Sequence, residues 1–108
     1  MILIKNARVM DPERGFDQVT DILLDGKRIR QIGKVDDVSG IEQVIDASGM
    51  IAAPGLIDVH VHFRDPGFTY KEDLQTGSAA AAAGGFTTVV CMANTKPVVD
   101  SVDIYKEI

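Results

Sequence analysis

Four side chains in this sequence have the types and spacing to do chemistry together: His60, His62, Arg64 and Asn94. The first three fall in "LIDVHVHFRDPG", Leu56 to Gly67, and the fourth in "CMANTKP". Side chains on a strand alternate faces with period two. A strand through Ile57–Arg64 therefore sets Asp58, His60, His62 and Arg64 on one side and Ile57, Val59, Val61 and Phe63 on the other. Imidazoles at i and i+2 can turn toward one ion, and neutral imidazole nitrogen suits Zn²⁺ and its first-row neighbours. The same pattern also describes a half-exposed strand with its polar face in water. Two ligands alone hold a metal poorly, and the chain has only 2 histidines, so the spacing leaves both readings open. Arg64 carries the planar guanidinium that clamps a carboxylate. Asn94 reads equally as an amide donor to a substrate oxygen and as an ordinary turn residue.

Positioning these groups is the work of the elements around them. From Gly55 onward the pattern predicts strand, helix, strand. "LIDVHVHF" is the first strand, "DLQTGSAAAAA" the helix and "FTTVVCMA" the second strand, whose continuous apolar run fits one covered on both faces. "TYKE" matches a capping box with Thr69 as N-cap and Glu72 at N3. Gly84-Gly85 offers the left-handed geometry that ends helices. The alanine run suits a helix and suggests close packing on a sheet. Such a unit implies parallel strands and a right-handed crossover. The histidines and Asn94 then stand toward the C-terminal ends of the strands, where β/α folds place active sites. The first fifty residues lack a helical period and read as a small antiparallel β unit, including a hairpin centred on Asp25-Gly26.

Composition removes several classes of function. The net charge of −5 and scattered basic residues disfavour nucleic acid or an anionic membrane surface as partner. The short "KRIR" at Lys27–Arg30 fits the outer face of a strand. Cys91 is the only cysteine, so no intrachain disulfide forms, and its apolar setting predicts a buried, unreactive thiol. A reducing cytoplasm agrees with this. The N-terminus lacks the features of a signal peptide, and no apolar run reaches the ~20 residues that span a bilayer. The chain ends in "VVDSVDIYKEI", a helix start with Asp100 or Ser101 as cap and no stop signal. That ending is expected of a truncated chain.

The segment "APGLIDVHVHFRDPGFTYKEDLQTGSAAAAAGGFTTVVCMANTKPVVD", Ala53 to Asp100, resembles the dihydroorotases of the amidohydrolase superfamily, the bacterial zinc type above all. The PG-(L/I)-D-x-H-x-H core is common to many amidohydrolases, whereas "FRDPGFTYKED" and "MANTKP" are more specific to dihydroorotases. Phe63, Asp65 and Ala93 stand where that family often has Leu, Glu and Pro. The resemblance implies an α/β fold: the N-terminal part of a metal-dependent (β/α)₈ TIM-type barrel, residues 53–108, preceded by strands of a small β-sandwich, residues 1–52. It implies that His60 and His62 bind one zinc of a binuclear site, and that Arg64 and Asn94 hold a substrate carboxylate. The other metal ligands and the catalytic aspartate would lie beyond Ile108, leaving these residues inactive alone. The implied reaction is reversible cyclisation of N-carbamoyl-L-aspartate to dihydroorotate, in pyrimidine biosynthesis in the cytoplasm. Its implied protein partners are further copies of itself, and it admits association with aspartate transcarbamoylase. Two rivals stand beside this reading. One is another cyclic-amide hydrolase (dihydropyrimidinase, hydantoinase or allantoinase), against which Arg64 and Asn94 argue. The other is a non-catalytic scaffold subunit, against which the intact His60-x-His62 argues.

Overall fold

The computed structural model describes residues 1–108, which form two compact units, Met1–Pro54 and Gly55–Ile108. Alternating apolar residues build five strands in the first: β1 (Ile2–Asp11), β2 (Phe16–Asp25), β3 (Arg28–Ile32), β4 (Gln43–Asp46) and β5 (Ile51–Ala52). Their order is β3-β2-β1-β4, with β5 also beside β1. The first three strands are antiparallel, as the sequence predicts. β4 and β5 instead run parallel to β1, so the sheet is mixed. Alternation fixes which side chains face inward but carries no strand direction, and residues 33–42 return the chain to the far edge of β1.

The β1–β2 register shifts between Ile4 and Ala7, where Asn6 adopts a left-handed φ of 61°. This extra residue moves one set of side chains across the sheet. Leu3 packs with Leu23 and Val35, while Ala7 and Val9 join Ile22 and Ala47 in a second cluster. Asp21, only 6% exposed, secures the irregularity. Its Oδ1 accepts the Asn6 N–H at 3.0 Å and its Oδ2 the Val35 N–H at 3.2 Å, while its carbonyl accepts from Gly33 at 2.9 Å. A buried carboxylate is tolerated when backbone donors satisfy it. The β2–β3 hairpin pairs Asp25 with Arg28, so Gly26-Lys27 forms the tip, one residue later than predicted. Of those two only Gly26 has positive φ, 57°, which fits a type II′ turn. β3 is exposed throughout, in accord with an outward "KRIR".

The second unit is strand, helix, strand: β6 (Leu56–Val61), α1 (Leu74–Ala83) and β7 (Phe86–Cys91), followed by α2 (Val102–Tyr105). β6 and β7 pair in parallel, as predicted. The helix starts later than "TYKE" suggests. Asp73 is the N-cap: its side chain accepts the Thr76 N–H at 2.8 Å, and Thr76 completes a capping box. That backbone bond, the leading cause, holds the Asp73 carboxyl below its ordinary pKa. Glu72 does serve the helix start, through the Thr76 hydroxyl instead of Thr69. Residues 65–71 are spent on turns, closed by Phe68 N–H to the Arg64 carbonyl and Lys71 N–H to the Phe68 carbonyl, both at 2.9 Å. The helix ends at Gly84-Gly85 as expected, with Gly85 at φ 85°. α2 is capped by Ser101, one of the two predicted candidates.

Close packing of α1 comes from Gly77, its one buried residue, and not from the mostly exposed alanines. A Cβ at Gly77 would lie 2.7 Å from Cδ1 of Phe63, so only glycine lets the helix seat on that ring. Phe63 is buried as the apolar face requires, yet Ile57 and Val59 remain 65% and 68% exposed. α1 packs along β7 and leaves much of β6 uncovered. β7 is likewise covered only at Phe86 and Val89, against the expectation of two covered faces. Cys91 is consequently exposed, which corrects its predicted burial. Partial desolvation still pushes its thiol pKa up, in keeping with low reactivity.

Candidate metal and substrate site

β6 carries His60 near its end, and His62 follows one residue past it. Their rings stand edge to face with centroids 5.1 Å apart, as i, i+2 geometry requires. The Asp58 carboxylate accepts the His60 backbone N–H at 3.0 Å and braces the strand end. Parallel pairing brings Val61 opposite Cys91, and the Met92 N–H donates to the Val61 carbonyl at 2.8 Å. The loop after β7 thereby starts level with the histidines. Asn94 lies on it, with Oδ1 2.9 Å from Nδ1 of His62. Three of the four predicted residues thus form a chain of contacts, His60 to His62 to Asn94.

Arg64 is placed differently. The strand stops at Val61, and Arg64 takes a left-handed φ of 63°, so the alternation does not extend to it. Its guanidinium forms neither a hydrogen bond nor an ion pair. It lines an apolar cleft of about 520 Å³ with Phe63, Leu74, Met92 and Tyr105, from which both histidines are absent. A separate groove of about 270 Å³ along α1 includes His62 and Asp58. The cavity with the greater volume is therefore not the place where the imidazoles meet.

Lys96 ties the Arg64 loop to the Asn94 loop, and Thr95 ties the Asn94 loop to itself. Lys96 N–H donates to the Pro66 carbonyl at 3.0 Å, beside Gly67 at φ 92°. A Cβ on Gly67 would sit 2.0 Å from the Lys96 carbonyl oxygen. Thr95, 9% exposed, donates from Oγ1 to the Pro97 carbonyl at 2.8 Å, and its N–H to the Ala93 carbonyl at 2.9 Å. The Pro-Gly dipeptide in "RDPG" signals a positive φ at Gly67, whereas nothing local marks Thr95 as buried. Gly67→Ala is expected to cost at least about 2 kcal/mol, from left-handed strain plus the carbonyl clash. A thermal melt unchanged from the parent would refute this account of the loops.

No group of three or more His, Cys, Asp or Glu residues capable of holding a metal occurs in the chain. The donor set nevertheless fits part of a first-row site. A neutral imidazole has one N–H and one lone pair. With Nδ1 of His62 engaged by an oxygen that can only accept, the lone pair is left on Nε2. Outer oxygens orient metal-binding histidines in this way.

Comparison with known proteins identifies the family. The family described as "Dihydro-orotase-like" matches residues 49–106. The chain is 58% identical to a dihydroorotase of Clostridioides difficile over 105 residues, 97% of the chain and 25% of that protein. It is 60% identical to one of Streptococcus pyogenes over all 108 residues, again 25% of the relative. The chain therefore spans about a quarter of the length of these relatives. Among solved structures, the L-hydantoinase (dihydropyrimidinase) of Arthrobacter aurescens aligns with a TM-score of 0.85 at 28% identity, over 98% of this chain and 23% of that one. The D-hydantoinase of a Thermus species aligns at 0.76 and 35% identity, over 99% and 23%. With its parallel βαβ unit, paired imidazoles and a family match covering more than half its length, the chain belongs to the dihydro-orotase-like family.

Proposed function

We propose that these residues serve a zinc-dependent dihydroorotase, which reversibly closes N-carbamoyl-L-aspartate to dihydroorotate in pyrimidine biosynthesis. The observation that carries this reading is the meeting of His60, His62 and Asn94 at the C-terminal ends of parallel β6 and β7, in a chain 56–60% identical to dihydroorotases. His60 and His62 act as metal ligands, and Arg64 and Asn94 hold the substrate carboxylate. Residues 1–52 contribute β-sandwich strands, and residues 53–108 the first βαβ of a (β/α)₈ barrel.

A bound zinc pair would supply Lewis acidity, lowering the pKa of water and polarising the amide carbonyl. The chain's own contribution is orientation. The Arg64 guanidinium pairs with the carboxylate bidentately, and the Asn94 amide donates a further hydrogen bond. Together they fix the carboxylate that stays outside the new ring and so orient the rest of the molecule for closure, removing part of the entropic barrier. The remaining ligands and the acid that moves the proton come from outside these 108 residues, which are not expected to turn over substrate alone. No helix is long and apolar enough to cross a membrane. The same reading extends to a cytoplasmic homo-oligomer able to associate with aspartate transcarbamoylase.

The structural likeness to hydantoinases favours a second reading, hydrolysis of a neutral cyclic amide. The carboxylate separates the two. The complete gene product is expected to interconvert carbamoyl-aspartate and dihydroorotate and to leave dihydrouracil and hydantoin nearly untouched. Comparable kcat/KM on dihydrouracil would favour the second reading.

A further inference from the structure

The contact between His62 and Asn94 links two groups to which the proposed function gives separate jobs. Asn94 Oδ1 accepts but cannot donate, so its 2.9 Å approach to Nδ1 of His62 requires a proton on Nδ1. The opposite amide orientation would have Nδ2–H donate to Nδ1, moving the ring proton to Nε2 and blocking that nitrogen. The backbone that carries Asn94 is held by its loop: Thr95 staples residues 93–97, and the Lys96–Pro66 bond anchors the loop to its neighbour. Asn94 itself is exposed, and its Nδ2 makes no hydrogen bond.

We infer that Asn94 is a shared positioning residue: its Oδ1 sets His62 as the Nδ1–H tautomer, presenting Nε2 to a divalent cation, while its Nδ2 hydrogens receive the anionic group of the substrate. This rests on the reading of His62 as a metal ligand and deepens it. One small amide then couples two binding events. Because a coupling free energy is reciprocal, substrate held at Nδ2 tightens the cation, and the cation tightens substrate, by the same factor.

The test uses the complete gene product with Zn²⁺ as the probe, its affinity read by competition with a chelator, and ¹⁵N-histidine NMR on the metal-free protein. Wild type is expected to show His62 protonated on Nδ1. Asn94→Leu is expected to lose that preference and to bind zinc roughly 10- to 100-fold more weakly, the usual cost of removing an outer hydrogen-bond partner. Asn94→Asp keeps an acceptor toward Nδ1 and is expected to retain the tautomer and the zinc affinity. It loses the amide donors and repels an anion, so its KM for carbamoyl-aspartate should rise. That split separates positioning from loss of fold, which a thermal melt of each variant also checks. Wild-type zinc affinity in Asn94→Leu, or His62 protonated on Nε2, would overturn the inference. Unaltered zinc affinity in both His60→Ala and His62→Ala would overturn the ligand reading, and the metal half of the inference with it. Weakened zinc there, with none of the weakening in Asn94→Leu, would overturn the inference alone.

Discussion

His60→Ala in the complete gene product is expected to lower zinc affinity by more than about 100-fold, since loss of an outer partner alone costs roughly 10- to 100-fold. Dihydroorotase activity should fall with it. The residue suits the test because its ring makes no hydrogen bond and is exposed. A folded protein with emptied metal is the predicted result, and a thermal melt of the variant checks the fold. Metal analysis on the purified variant reads it directly. Wild-type zinc content in the variant would remove His60 from the ligand set, whereas absence of zinc from the parent protein would favour the non-catalytic scaffold reading over the enzyme.

The second large effect belongs to Arg64. Removing one partner of a hydrogen-bonded charge pair costs about 2–5 kcal/mol, or roughly 30-fold to several thousand-fold in kcat/KM. Arg64→Ala should show this loss with carbamoyl-aspartate and keep its zinc, which places the defect in substrate holding and not in metal binding. Arg64→Lys should recover only part, because an ammonium cannot match a carboxylate bidentately. Its backbone sets a further condition. At φ 63° the residue stands on the turn after β6, so the guanidinium is aimed by the 64–68 turn and the Gly67–Lys96 approach. Steady-state kinetics of Arg64→Ala matching the parent would exclude the clamp.

What the residues reveal unaided depends on how far each signal is local. The His60–His62 pairing follows from two positions on one strand. The βαβ order follows from a change of period, and the helix stop from two adjacent glycines. Each is decided within a few residues. At the helix start two capping signals compete, four residues apart. "TYKE" loses to Asp73–Thr76 since the turns after Arg64 consume the intervening chain. The direction of β4 and β5 was illegible because alternation is the same read either way along a strand. Arg64 shows the reverse error, alternation carried past the end of its strand. The burial of Thr95 and the placing of Asp21 beneath Asn6 depend on partners distant in sequence, and no local pattern encodes them.

The buried apolar residues are unevenly shared: Leu3, Ala7, Val9, Ile22, Leu23, Val35 and Ala47 lie in Met1–Pro54, and Phe63 alone in Gly55–Ile108. Opening a segment exposes its backbone amides to solvent deuterium, and the free energy needed rises with the apolar surface uncovered. Amides of β1 and β2 should therefore exchange slowest in the 108-residue chain, and those of β6 and β7 orders of magnitude faster. Mass-resolved exchange on peptides from each strand would show the order, and equal protection would contradict it. The histidines thus ride on the softer half. A cation that binds only its closed form would stiffen it by about 1.4 kcal/mol for each tenfold excess over the dissociation constant.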